Sequence, residues 1–267
     1  MAYLQQLAPL AEINVSQEEI LAIKRHDLLP ILHDQHQLNH YAERLVQAQA
    51  ALLNSIDPKL TQDLSHSIEK LIQALHDSPK YIRTKRFNRL QRWLGSDLDF
   101  ASKQIAYYKN LERLIDHSTN LSQKLQIEIQ KSEARYRQLV GLREQMAKYI
   151  RAAQEFLIEY LAFLQQQHPL DQFSQRLSKK INTLETLQSS NDIAMQQMYL
   201  SQQLAFSLLD RFKEAQQVLL PAWQYHIQHS QNQTTPQEQR ALDASRNSLI
   251  NSLKHALEKS SQSSHSR

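Results

Sequence analysis

The chain has 267 residues, a formal net charge of +4, two glycines, seven prolines and no cysteine. So little glycine, against an ordinary share of about 7%, removes the positive-φ positions that hairpins and phosphate loops need. That excludes a many-stranded sheet or a dinucleotide-binding crossover, while the missing cysteine excludes disulfides, thiolate zinc sites, iron–sulfur clusters and thiol nucleophiles. Helix-favouring Gln, Leu, Ala, Lys and Glu are abundant, so the fold is read as all-α.

In chain order, Ser16-Gln17-Glu18-Glu19 forms a capping box that opens a helix running toward Leu29. A second helix is predicted from about Ile31 to Ser55. Asp57 caps a third, with Pro58 in its first turn, and it ends near Asp77. Lys80 to Leu94 reads as a basic amphipathic helix that Gly95 stops. Ser96 then opens a long helix reaching Gln167, with Asp116-His117-Ser118-Thr119-Asn120 as its expected break. After His168-Pro169 a second long helix is predicted from about Leu170 to Leu220, irregular at Ser189-Ser190-Asn191-Asp192.

Both long helices carry a seam with steps of three and four. The first reads Leu139, Leu142, Met146, Tyr149, Ala153, Phe156, Tyr160, Phe163. The second reads Leu177, Ile181, Leu184, Met195, Met198, Ala205, Leu209, Phe212, Leu219, and Gln188, Asn191 and Gln202 interrupt it. The Met and aromatic stripe reads as core rather than as a cofactor box. The short His-Pro connection favours antiparallel packing. The expected architecture is therefore an elongated helical bundle built on a long antiparallel coiled-coil hairpin, with short N-terminal helices. It divides as 1–79 (short helices), 80–231 (the long hairpin) and 232–267 (a last helix and tail).

Pro221 is expected to kink or restart the second long helix, sending Trp223, Tyr225 and Ile227 over one end of the bundle. Thr235-Pro236-Gln237-Glu238 launches the final helix with Leu242, Leu249, Leu253 and Leu257. From Ser260 onward nothing apolar remains, and that tail is expected to lack structure.

Chemistry is sparse. No nucleophile elbow, phosphate loop, dinucleotide fingerprint or His-Glu-x-x-His motif occurs, and no enzyme activity is expected. His33, His36 and His40 would share one face of the second helix, and His226 and His229 form a second pair. Neither has a completing carboxylate or cysteine pattern, so neither a metal nor any other cofactor is expected. The chain has no apolar run of about 20 residues, the length that spans a bilayer. Its first residues lack the basic start and apolar core of a signal peptide. The expected location is cytoplasmic, with room for peripheral attachment at the inner face of the membrane.

The segment 80–94 is the most informative surface. It holds Lys80, Arg83, Lys85, Arg86, Arg89 and Arg92 with no acidic residue, and Phe87, Leu90, Trp93 and Leu94 recur at helical spacing. Lys80, Arg83, Lys85, Arg86, Arg89, Arg92 and Trp93 form the candidate interaction surface. Such a helix suits an anionic membrane surface or an acidic protein partner. Nucleic-acid phosphates are the less favoured match, and a plain bundle helix with a solvated basic face is the bland alternative. A homo-oligomer also stays open.

Several stretches resemble the toxic-anion-resistance family, the TelA/KlaA tellurite-resistance proteins. They are Phe87-Asn88-Arg89-Leu90-Gln91-Arg92-Trp93-Leu94-Gly95, Tyr107-Tyr108-Lys109-Asn110-Leu111-Glu112-Arg113-Leu114-Ile115-Asp116, and Glu133-Ala134-Arg135-Tyr136 through Met146-Ala147-Lys148-Tyr149-Ile150-Arg151-Ala152-Ala153. The last is Leu219-Leu220-Pro221-Ala222-Trp223-Gln224. Tyr149, Ile150, Pro221 and Trp223 are the family-like packing positions. The resemblance implies a cytoplasmic helical protein tied to tolerance of tellurite and related anions and to envelope stress, with no catalytic residues to carry over. The alternative is a cytoplasmic coiled-coil binding protein of another class, with nucleic acid as one such partner.

Overall fold

The computed structural model describes residues 7–32, 34–82, 96–163, 172–230 and 236–262. Among them there is no strand. The helices are α1 Gln17–Ile23, α2 Gln35–Asn39, α3 Glu43–Leu52, α4 Pro58–Asp77, α5 Pro79–Ile82, α6 Ser96–Phe163, α7 Phe173–Glu214, α8 Leu220–Ser230 and α9 Pro236–Gln262. The protein is an all-α helical bundle. No described helix is long and apolar enough to cross a membrane.

Local chemistry explains most boundaries. The Ser16 hydroxyl accepts from the Glu19 N–H while the Glu19 carboxylate accepts from the Ser16 N–H, a complete capping box. Asp57 accepts from the Lys59 N–H and Pro58 occupies the first turn of α4, as its sequence predicts. The single helix expected over 31–55 is not formed. Pro30–Leu32 is a 3-10 turn, Asp34 caps α2 by accepting from the His36 and Gln37 N–H groups, and Ala42 adopts φ 59° before α3 begins. Asp34 thus starts a new helix where the sequence suggests an old one continuing.

Both long helices are more continuous than expected. The polar residues of 116–120 do not break α6, because the Ser118 and Thr119 hydroxyls donate back to the Leu114 and Ile115 carbonyls at 2.8 and 2.7 Å. Ser189 does the same to Glu185 in α7 at 2.9 Å, and the irregularity expected there is absent. The last helix runs to Gln262, past Ser260.

Two π turns, Lys24–Leu28 and Ala215–Leu219, each lie just ahead of a proline. In both, the residue before the proline donates five positions back, Leu29 to Lys24 and Leu220 to Ala215. A proline ring clashes with the carbonyl four residues back in an ordinary helix, and the wider turn relieves that crowding. Pro221 therefore restarts the helix as α8.

The chain forms two compact units, Met1–Ser55 with Ser132–Leu200, and Ile56–Lys131 with Ser201–Arg267. In the first, α6 and α7 run antiparallel, since Tyr136 lies beside Tyr199, Arg143 bonds Asp192 and Gln154 bonds Glu185. Its core joins Ile20, Leu28 and Tyr41 to Met146, Ile150, Phe156, Leu177 and Leu184, with Leu139, Met195 and Met198 alongside. In the second unit the pairing is again antiparallel, Thr119 to Gln216 and Gln126 to Lys213. There Leu64, Ile68 and Leu75 of α4 pack with Leu125, Phe212, Trp223, Leu249 and Leu253.

Candidate functional site

The densest polar chemistry among the described residues lies inside the first unit. Arg143 is 5% exposed. Its Nε donates to Asp192 Oδ1 at 2.8 Å and its Nη2 to Oδ2 at 2.9 Å, and Nη2 also donates to the Ala8 carbonyl at 2.7 Å. Asp192 further accepts from Gln188 Nε2 at 2.7 Å. Gln188 Oε1 accepts from Gln49 at 2.9 Å, and Gln49 Oε1 from Asn191 at 2.8 Å. Gln188 and Gln49 are both buried. The line Asn191–Gln49–Gln188–Asp192–Arg143–Ala8 thereby ties α3, α6, α7 and the N-terminal segment together.

A second knot involves the family-like position Tyr149. Its carbonyl accepts from the Tyr41 hydroxyl at 2.7 Å, its own hydroxyl donates to Asp27 at 3.3 Å, and the two rings lie 5.4 Å apart. Burial, then the charge of Asp27, holds the Tyr149 phenol above its ordinary range. Ile150 beside it is buried in the same core. Lys24, in the first π turn, is also buried and donates to Glu155 at 3.0 Å and Glu159 at 2.9 Å. Burial alone would lower its pKa, but the bonds to Glu159 and Glu155 outweigh that and raise it.

These groups hold helices together. Among the described residues the two buried cations, Lys24 and Arg143, both face carboxylates, so neither presents a free positive charge to an anion. Among the described residues no group of three or more His, Asp or Glu is arranged to hold a metal ion. Of the histidines, His36 and His40 meet with rings 5.2 Å apart, at the surface, and His40 pairs with Glu43. They belong to α2 and its C-cap, and His33 lies outside the described residues.

Of the basic surface, Lys80 is described, exposed and paired with Asp77 at 2.7 Å, which raises its pKa. Arg83, Lys85, Arg86, Arg89, Arg92 and Trp93 lie outside the described residues. The chain entering that segment is anchored in the second unit, where the Tyr81 ring stacks on Tyr107 at 4.7 Å and the Tyr81 carbonyl accepts from Gln104 at 2.8 Å. Pro221 is exposed on α8, whereas Trp223 is 1% exposed, and its indole N–H has no hydrogen-bond partner among the described residues. Tyr225 departs from expectation. It is 58% exposed and does not cover the bundle.

Sequence reasoning missed the Arg143 network. The available signal was Gln188, a polar residue in an apolar seam, with Arg143 next to the seam position Leu142.

These features define an all-α protein whose interior polar groups serve packing. Among known proteins the chain is similar to Protein KlaA of Escherichia coli, 23% identical over 178 residues that cover 66% of this chain and 69% of that protein. No family model matches the chain, and no solved structure matches it.

Proposed function

We propose that this chain is a non-enzymatic helical scaffold of the toxic-anion-resistance type, acting in tolerance of tellurite or related envelope stress. It docks through the basic segment 80–94 on an anionic membrane surface or on a protein partner. The similarity to Protein KlaA across two-thirds of the chain carries the family reading. The engagement of both buried cations by carboxylates supports a scaffold over an anion-capturing core. The absence of cysteine leaves no thiol to reduce or trap tellurite.

Expression in a tellurite-sensitive bacterium tests this reading. Growth on graded tellurite should exceed that of the empty vector, and the charge-reversed variant R86E/R89E/R92E should lose the advantage at equal protein level. A wild-type chain that confers no advantage overturns the resistance reading. A variant as protective as wild type overturns the role of the basic segment.

A further inference from the structure

In the first unit, the N-terminal segment is fixed to α6 and α7 by bonds that water can replace. Arg143 reaches the Ala8 carbonyl, Lys148 pairs with Glu19, Lys24 with Glu155 and Glu159, Tyr149 with Asp27, Lys180 with the Asn39 carbonyl, and Gln49 with Gln188. Lys24, Gln49, Arg143 and Gln188 are all buried, so charges and amides lie inside this junction. They regain water when it opens, which cancels most of each bond's gross strength. The apolar hold rests chiefly on Ile20, Leu28, Ile31, Leu38 and Tyr41. The segment is also weak by itself. It is built of helices of 7, 5 and 10 residues, a π turn and 3-10 turns, and Ala42 sits at φ 59°. Helices shorter than about 12–15 residues do not persist alone, so leaving the hairpin and unfolding are one step. The bonds that join α6 to α7, Arg143 to Asp192 and Gln154 to Glu185, do not involve this segment.

We propose that residues 17–52 form a cover that opens as one cooperative unit and uncovers a groove between α6 and α7 for an amphipathic helix carrying a basic residue. The floor of the groove is Met146, Ile150, Phe156, Leu177, Ile181 and Leu184, which share one core with the cover. The occupant follows from Lys24. Glu155 and Glu159, one helical turn apart, hold its ammonium at 3.0 and 2.9 Å, and opening takes that cation away from them. A helix that lays its apolar side in the groove, with a lysine or arginine between these carboxylates, repeats the contact the cover makes. Opening also relieves the left-handed backbone of Ala42. This inference is independent of the docking reading for segment 80–94.

Hydrogen exchange on the full chain in rising urea tests the opening. Amides of α1, α2 and α3 should share one opening constant, larger than that of α6 over 146–156 and of α7 over 177–184. Its urea dependence should be shallower, because less surface is exposed. Tyr41→Phe, which loses the bond to the Tyr149 carbonyl, should speed exchange about fivefold across all three helices and not only around residue 41. Fluorescence anisotropy with a labelled synthetic peptide of residues 15–52 reads the groove. The peptide should bind the wild-type chain weakly and the Tyr41→Phe chain about fivefold more tightly, the same factor, because only the open form is competent. The peptide carrying Lys24→Gln should bind about tenfold more weakly, because Glu155 and Glu159 then meet no cation from it. Exchange of the three helices at the constant of α6 and α7, or at three unrelated constants, overturns the cover. A peptide that binds neither chain, binds both equally, or is indifferent to Lys24→Gln overturns the groove and its occupant.

Discussion

Arg143 and Asp192 meet through two parallel hydrogen bonds, 2.8 and 2.9 Å long, with the arginine side chain 6% exposed and the aspartate 22%. Each residue's charge is tolerable inside the bundle because the other is there. Removing one partner strands a buried charge, which typically costs about 3–5 kcal/mol, whereas replacing a buried pair by well-packed apolar residues is often neutral. Asp192→Leu or Arg143→Met alone should therefore destabilise, the former by about 3–5 kcal/mol, and the double variant Arg143→Met with Asp192→Leu by much less than the two singles combined. Urea unfolding of the four chains closes the cycle. Additive losses would show that the two groups do not act as a pair.

Phe156 and Trp223 test the cores of the two units separately. Phe156 is 7% exposed, edge-on to Phe173 with ring centroids 6.4 Å apart, and Trp223 is 1% exposed. Truncating either to alanine should cost about 3–5 kcal/mol. An unchanged thermal melt for either variant would remove that residue from the core.

Ala42 is the one non-glycine residue with positive φ among the described residues. The left-handed conformation costs such a residue about 1–2 kcal/mol, while its buried methyl returns about 0.8 kcal/mol. Ala42→Gly should be neutral or stabilising by up to about 1 kcal/mol. Ala50→Gly, on the exposed side of α3, should cost about 0.5–1 kcal/mol. Equal losses at both sites in urea unfolding would contradict the Ala42 geometry.

Alkaline pH should unfold the protein through its buried phenols. Burial, then the charges of Tyr149 and Asp27, raises the Tyr41 pKa above its ordinary 10.0, and burial raises Tyr107 as well. Above pH 10 the unfolded chain ionises these tyrosines while the folded chain keeps them protonated. The unfolded state then binds fewer protons, and stability falls as pH rises. Lys24, raised above 10.5, has the same sign, because its contribution is full below 10.5 and is lost through the higher folded value. Tyr41→Phe should cost about 1 kcal/mol near neutrality through its lost bond to the Tyr149 carbonyl. It should also flatten the fall above pH 10. An unaltered alkaline slope would place the titration elsewhere.

The fold was largely legible because helix signals are local. The Ser16 box, the Asp57 cap and the seams from Leu139 to Phe212 depend on neighbours within a turn or two. The errors came where a distant partner or a hydroxyl decided the outcome. Ser118 reads as a helix breaker until its hydroxyl is seen bonding Leu114 and pairing with Ser67 at 2.7 Å. Gln188 reads as an interruption until Gln49, far away in sequence, is seen meeting it. The π turn before Pro221 was legible only as a disturbance, since proline signals the clash but not how the chain relieves it. The Arg143 network was illegible because nothing in sequence pairs residue 143 with residue 192.

Flotation on lipid vesicles tests the docking reading most directly. The full chain should rise with vesicles rich in anionic lipid and stay behind with neutral ones. Recovery should fall as salt screens the attraction. If the segment docks rather than packs, the variant R86E/R89E/R92E should lose recovery at an unchanged melting temperature, because substitutions outside a packed core change stability little. A wild-type chain that ignores anionic vesicles at low salt, or a charge reversal that unfolds the protein, would make segment 80–94 a structural part of the bundle and contradict membrane docking.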